Sequence, residues 1–133
     1  MNTYVTDTHA LLWHLSRDPA LSASAVGIFH LADAGKAEII IPSIALVEIV
    51  YLCERQRVPA DRIDRILTLI STAGGRYRLA ALDEAIVQAL RHIPREHVPD
   101  MPDRIIAATA LHLDVPVITR DSKIQTSGLR VIW

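Results

Sequence analysis

The sequence predicts a three-layer α/β/α sandwich built on a mostly parallel sheet, and three observations point to it. Short apolar runs rich in β-branched residues alternate with helical patterns along the whole chain. One run, Val115-Pro116-Val117-Ile118-Thr119, is continuous rather than alternating, the mark of a parallel strand buried on both faces. The stretch before it places Ile105, Ile106, Ala107, Ala108, Ala110, Leu111 and Leu113 nearly all round one helix, which is therefore expected to be buried.

The first strand is Thr3-Tyr4-Val5-Thr6, ending at Asp7, and residues 8–15 read as a short helix broken by Asp18-Pro19. Ser22 or Ser24 can cap a second helix, carrying Val26, Ile28, Phe29 and Leu31, with Gly35 after its end. Glu38-Ile39-Ile40-Ile41 is the second strand. Pro42-Ser43 starts a third helix to about Glu54, in which Glu48 is an acid among apolar neighbours. Pro59-Ala60-Asp61 opens a fourth, with Ile63, Ile66, Leu67 and Ile70 on one face, and Gly74-Gly75 stops it.

Residues 76–80 alternate, so this strand belongs at or near a sheet edge. Asp83 and Glu84 begin a fifth helix, residues 94–99 form a polar loop, and Asp100-Met101-Pro102-Asp103 starts the sixth. Leu129-Arg130-Val131-Ile132 closes the sheet. There is no internal repeat and no linker, so a single domain over residues 1–133 is expected.

Composition limits the function classes. Half of the 133 residues are hydrophobic and 22% are charged, which excludes a disordered chain. The net charge of -1 lacks the basic footprint of a strong nucleic-acid binder, although bound metal ions can supply positive charge locally. The one cysteine, Cys53, has no internal disulfide partner and reads as a buried structural thiol. No signal peptide opens the chain and no apolar run reaches membrane-spanning length, so a cytoplasmic protein without membrane association is expected.

The candidate chemistry lies in the acids. In an open parallel sheet, sites form at the carboxyl ends of the strands. Asp7 follows the first strand and Asp121 the strand at 115–119. Glu48 and Asp103 lie early in helices, and a helix packed on a parallel sheet starts at that same edge. Each acid has a simpler reading. Asp7 can be a helix N-cap, Asp100 and Asp103 a capping pair, Asp121 the start of the turn Asp121-Ser122-Lys123, and Glu48 a salt-bridge partner of an arginine. Separate caps do not explain why all converge on one edge. Carboxylates gathered within a few ångströms repel unless a cation sits among them, and hard oxygen donors favour Mg²⁺ or Mn²⁺. The six histidines are scattered without metal-ligand spacing, and packing is the simplest account of His9 and Trp13. A carboxylate-held Mg²⁺ suits phosphodiester hydrolysis by an activated water. Thr119 can order that water or a ligand, while Arg104, Arg120 and Lys123 flank the acids and can hold phosphates.

Four segments together resemble a known family: Asp7-Thr8-His9-Ala10-Leu11-Leu12-Trp13, Pro42-Ser43-Ile44-Ala45-Leu46-Val47-Glu48-Ile49, residues 99–110 around Asp103, and Val117-Ile118-Thr119-Arg120-Asp121. In order and spacing they are similar to the PIN domain, and more narrowly to the VapC toxins of bacterial type II toxin–antitoxin systems. The resemblance covers essentially the whole chain. It implies a Mg²⁺-dependent endoribonuclease that leaves a 5′-phosphate and a 3′-hydroxyl. The family's four acids fall on Asp7, Glu48, Asp103 and Asp121, and Asp100 matches an additional acid found in many members. A homodimer is implied, as is neutralisation by a VapB-type antitoxin whose C-terminal segment reaches the acidic site. The usual Asp-Pro-Phe-Asp order is departed from here, with the proline displaced and the aromatic absent, which alters the local loop and leaves the acids in register.

Two rival readings fit the sequence less well. A metal-dependent phosphatase of haloacid-dehalogenase type also uses an acid after its first strand, but wants a second acid two residues on, where this chain has His9. A catalytically weak PIN scaffold would have lost acids, and all four are present.

Overall fold

The computed structural model describes residues 1–133. Five strands form one all-parallel sheet: β1 (Asn2–Thr6), β2 (Ala37–Pro42), β3 (Tyr77–Ala80), β4 (Val117–Ile118) and β5 (Val131–Ile132), in the order β3-β2-β1-β4-β5. Helices α1 (Thr8–Ser16), α2 (Ala23–Asp33), α3 (Ser43–Glu54) and α4 (Arg62–Ser71) fill the connections running outward from β1 to β3. Helices α5 (Glu84–Leu90), α6 (Met101–Leu113) and α7 (Ser122–Gln125) fill those running back to β4 and β5. Right-handed crossovers place the two sets on opposite faces, because reversing the direction of travel reverses the face. The α/β/α sandwich read from the sequence is the architecture found.

The period-2 alternation of the strands divides two cores. Ile39, Ile41 and Ile118 point into one with Leu11, Phe29, Ile49 and Ile66. Val5, Ile40 and Val117 point into the other with Ile86, Ile105, Ile106 and Ile124. As expected, β3 lies at an edge. The strand order reverses between β1 and β4, so the crevice beside their carboxyl ends is the topological switch point. Val5 pairs with Val117 and Thr6 with Ile118, which brings the residues after both strands side by side.

Several expectations need correction. The strand expected over residues 115–119 is only Val117–Ile118. The Val115 N–H instead closes the end of α6 on the Ala110 carbonyl, and Pro116 has no N–H to give. Burial of α6 is complete from Ile106 to Ala110, but its last turn exposes Leu111 and Leu113. Leu67 on α4 faces outward rather than into the core. Cys53 is only half-buried, its Sγ 3.4 Å from the Pro59 carbonyl oxygen. The turn expected after Asp121 is a one-turn helix, α7, with Asp121 as its N-cap. No helix is long and apolar enough to cross a membrane.

Candidate active site

Asp7 leaves β1 in the crevice at the switch point and N-caps α1. Its Oδ1 accepts the Ala10 N–H at 2.8 Å, and its Oδ2 accepts the Thr119 hydroxyl at 2.5 Å. The same Thr119 oxygen accepts the Asp121 N–H at 3.0 Å. Wholly buried, Thr119 thus ties the acid after β1 to the acid after β4. Its proton is committed to Asp7. The expected role of ordering a water or ligand gives way to one of fixing the acids.

Glu48 lies in the second turn of α3, and Oε1 accepts the Thr8 hydroxyl at 2.6 Å. No arginine pairs with it; the ion pairs of the chain are His14–Asp33, Arg62–Asp61, Arg78–Glu38 and Arg130–Asp114. Thr8 was not singled out from the sequence. Its only signal was a hydroxyl directly behind Asp7, in the first turn of the helix that Asp7 caps.

Asp100 caps α6, accepting the Asp103 N–H at 3.3 Å. Asp103 occupies the first turn of the helix, Pro102 beside it where a missing N–H costs nothing. Asp121 caps α7 through the Lys123 N–H at 2.8 Å, and its carboxyl group stands close enough to that of Asp103 to share a proton. The capping readings of Asp7, Asp100 and Asp121 therefore hold. Capping turns one oxygen of each toward a backbone N–H, and all of these acids with Glu48 and Asp103 line one cleft of about 400 Å³.

The electrostatics of this cleft are unbalanced. Burial pushes the Asp7 carboxyl above its usual range, against the opposing hydrogen bonds from Thr119 and Ala10. Burial likewise raises Glu48, against the Thr8 bond and with help from the Asp100 and Asp7 charges. Asp103 is pushed up to about 8 by burial first, then by the shared proton with Asp121 and the charges of Asp100, Asp121 and Glu48. Carboxyl groups crowded at one place raise one another unless a cation sits among them.

The donors fit Mg²⁺ or Mn²⁺ in kind, being all carboxylate oxygens. No three of them converge closely enough to cage an ion by themselves. Mg²⁺ keeps several waters and takes one or two carboxylates directly, so a complete protein cage is not required of its donors.

A model of the PIN domain matches residues 4–127. The chain belongs to the PIN domain family.

Among its relatives, Ribonuclease VapC22 of Mycobacterium tuberculosis is 22% identical over 126 residues, covering 95% of this chain and 92% of that protein. The fold is also similar to the VapBC2 structure from Rickettsia felis bound to a DNA fragment from its promoter. That match has a TM-score of 0.71 at 17% identity and covers 98% of this chain and 97% of that one. For VapBC-1 from nontypeable Haemophilus influenzae the values are 0.67, 17%, 98% and 96%.

The three cations that flank the acids in this PIN domain's sequence separate in space. Arg104 donates from Nε to the Ile93 carbonyl at 3.0 Å and from Nη2 to the Leu90 carbonyl at 3.1 Å. It staples the end of α5 to α6 and does not line the cleft, contrary to the phosphate role expected of it. Lys123 is exposed on α7 and does not line the cleft. Arg120 does line it, seated over the Trp13 ring at 4.6 Å from the centroid. His9 and Trp13 complete the lining, and His9 is exposed rather than packed away.

Proposed function

We propose that this PIN domain is a metal-dependent endoribonuclease of VapC type, the toxin of a toxin–antitoxin pair. The observation that carries the proposal is the cleft itself: Asp7, Glu48, Asp103 and Asp121 meet at the switch point with three carboxyl groups raised and no ion pair among them. The kinship with Ribonuclease VapC22 supports RNA as the substrate.

Asp7 and Asp103 offer the oxygens for direct coordination of Mg²⁺ or Mn²⁺, and Glu48 and Asp121 act directly or through water. An ion held there would lower the pKa of a bound water and offset charge on the phosphate. The protein's own contribution is orientation. The Thr119 hydroxyl holds one Asp7 oxygen and the Thr8 hydroxyl one Glu48 oxygen, so neither carboxylate is free to rotate. The helix starts of α1 and α6 put capped N–H groups behind Asp7 and Asp100, which fixes these acids without adding a competing charged partner.

A VapB-type antitoxin is the proposed partner. An apolar groove of about 380 Å³ beside Glu48 is lined by Ile44, Val47, Tyr51, Met101 and Pro102, with Val47, Tyr51 and Met101 well exposed. Such a surface suits the apolar part of a partner segment that continues toward the acids. Homodimerisation is proposed on the same family grounds, in the cytoplasm.

The test is cleavage of total RNA by the purified protein with Mg²⁺, with excess EDTA, and with Asp103→Asn or Asp7→Asn. Cleavage with Mg²⁺ should fall roughly 10³-fold in either variant and vanish with EDTA, several kcal/mol of transition-state stabilisation being at stake. Full activity of both variants would refute the proposal. Cleaved ends should carry 5′-phosphates.

A further inference from the structure

Trp13 and His9 form a wall that the acid cleft shares with a second groove of about 330 Å³. That groove lies between α1 and the segment joining α3 to α4. Leu52, Val58 and Pro59 give it an apolar side, and Arg57 and Arg62 line it as well. Arg62 is paired with Asp61, but Arg57 has no carboxylate within 4.0 Å. On the cleft side, Arg120 also has no carboxylate within 4.0 Å, although five acids line the same cavity. Its guanidinium is held instead over the Trp13 ring, and Trp133 backs Trp13 at 5.9 Å between ring centroids.

This arrangement leaves an arginine charge unspent at the rim of a strongly acidic site. A polyanion entering that site meets repulsion from every acid that a metal does not neutralise. A guanidinium supplies what the acids lack, a planar fork for a phosphate. Seated on tryptophan, it also presents a flat surface on which an unpaired base can stack.

We propose that Arg120 and Trp13 form a nucleotide-binding platform for single-stranded RNA, with Arg120 taking the backbone phosphate next to the cleaved bond. The adjoining base stacks on the Arg120–Trp13 pair. The strand continues past His9 into the neighbouring groove, where Arg57 meets a further phosphate. The platform rests on the ribonuclease reading above, and adds to it which side of the metal site the RNA crosses.

The experiment measures binding of fluorescein-labelled A12 and U12 RNA to the full chain, with Ca²⁺ replacing Mg²⁺ to suppress cleavage, across a salt series. Arg120→Ala should weaken binding 10- to 100-fold and lower the salt slope by about 0.7, the value of one phosphate contact on a single strand. Arg120→Lys should keep the slope while losing part of the affinity. Trp13→Leu should weaken binding about tenfold, and Trp13→Phe should recover most of it. Arg57→Ala should lower the slope with a smaller loss. Arg130→Ala, whose arginine is paired with Asp114, is the control and should bind like the wild type.

Unchanged binding and slope in Arg120→Ala, with its thermal melt confirming the fold, would overturn the platform, as would equal losses in Trp13→Phe and Trp13→Leu. The two readings fail separately. A wild type that never cleaves RNA but binds it through Arg120 refutes the ribonuclease alone. An Arg120→Ala protein that cleaves with unchanged KM refutes the platform alone.

Discussion

Asp33 and Asp7 each make side-chain contacts with α1 or its start, yet their surroundings are opposite. Asp33, at the end of α2, accepts the Tyr77 hydroxyl at 2.7 Å and lies 3.1 Å from His14 Nε2, and half of its side chain still meets solvent. The network joins α1, α2 and β3, and burial holds the His14 imidazole below its usual range while raising the Tyr77 phenol. Asp7 is equally well hydrogen-bonded. Its neighbours, however, are further acids, and the basic residues lining the same cleft, the exposed His9 and Arg120, make no ion pair with it. No buried side-chain polar atom in the chain lacks a partner, so hydrogen bonding does not separate the two regions. Charge does. The Asp33 network pairs its acid with a phenol and an imidazole, whereas the Asp7 cleft gathers five acids with no ion pair among them. Crowded acids of this kind cost stability, which a network of paired groups does not incur.

The contrast can be broken at its most sensitive point by Thr119→Val, which removes the bond to Asp7 and leaves the packing volume nearly unchanged. Loss of an orienting partner of this kind lowers metal affinity or activity about 10- to 100-fold. The RNA cleavage rate should fall by that factor, with more Mg²⁺ needed for half-maximal rate and a far-ultraviolet circular dichroism spectrum like the wild type's. An unchanged Mg²⁺ requirement would count against the positioning role.

A second comparison is thermodynamic. With Asp103 at about 8 when folded and near 3.8 when unfolded, the folded metal-free protein keeps a proton that the unfolded chain has lost. Stability is then present at low pH and falls as pH rises through about 8. Between pH 7 and 9 the His14 imidazole is largely neutral in both states and contributes little slope. Thermal melts in EDTA should therefore show a falling melting temperature across this window. Mg²⁺ should flatten the decline, since it binds the deprotonated site. Asp103→Asn should abolish the decline and raise stability at pH 9 by about 1 kcal/mol, equivalent to roughly 3–5 °C. A melting temperature that rises from pH 7 to 9 would refute the assigned imbalance.

The smallest effect is expected in the balanced region. Tyr77→Phe removes the buried donor to Asp33 and should cost about 1 kcal/mol, because water can replace the phenol at a half-exposed carboxylate. RNA cleavage per folded molecule should not change. A loss of activity at full folding would show that the two regions are coupled.

The site was only partly legible in the sequence. Asp7, Asp103 and Asp121 sit where a strand ends or a helix begins, and apolar periodicity marks those points. Glu48 stood out as an acid among apolar neighbours. Thr8 did not, because a hydroxyl after a helix cap has many ordinary uses and nothing local shows that a helix 40 positions away presents an acid to it. Arg104, Arg120 and Lys123 looked alike beside the acids. Their fates diverged because Arg104 meets the open carbonyls at the end of α5 and Arg120 meets Trp13.

By itself, then, the chain determined the alternation of strands and helices, the two-sided burial of β4 and the acids near the carboxyl edge of the sheet. These follow from local periodicity and from capping, which act within a turn or a few strand residues. Only the tertiary structure decided that Thr119 donates to Asp7 across 112 positions, that Thr8 holds Glu48, and that one of the three flanking cations, Arg120, lines the cleft. Those pairings depend on strand order and register, and a shift of one residue in β4 would turn Thr119 to the other face of the sheet.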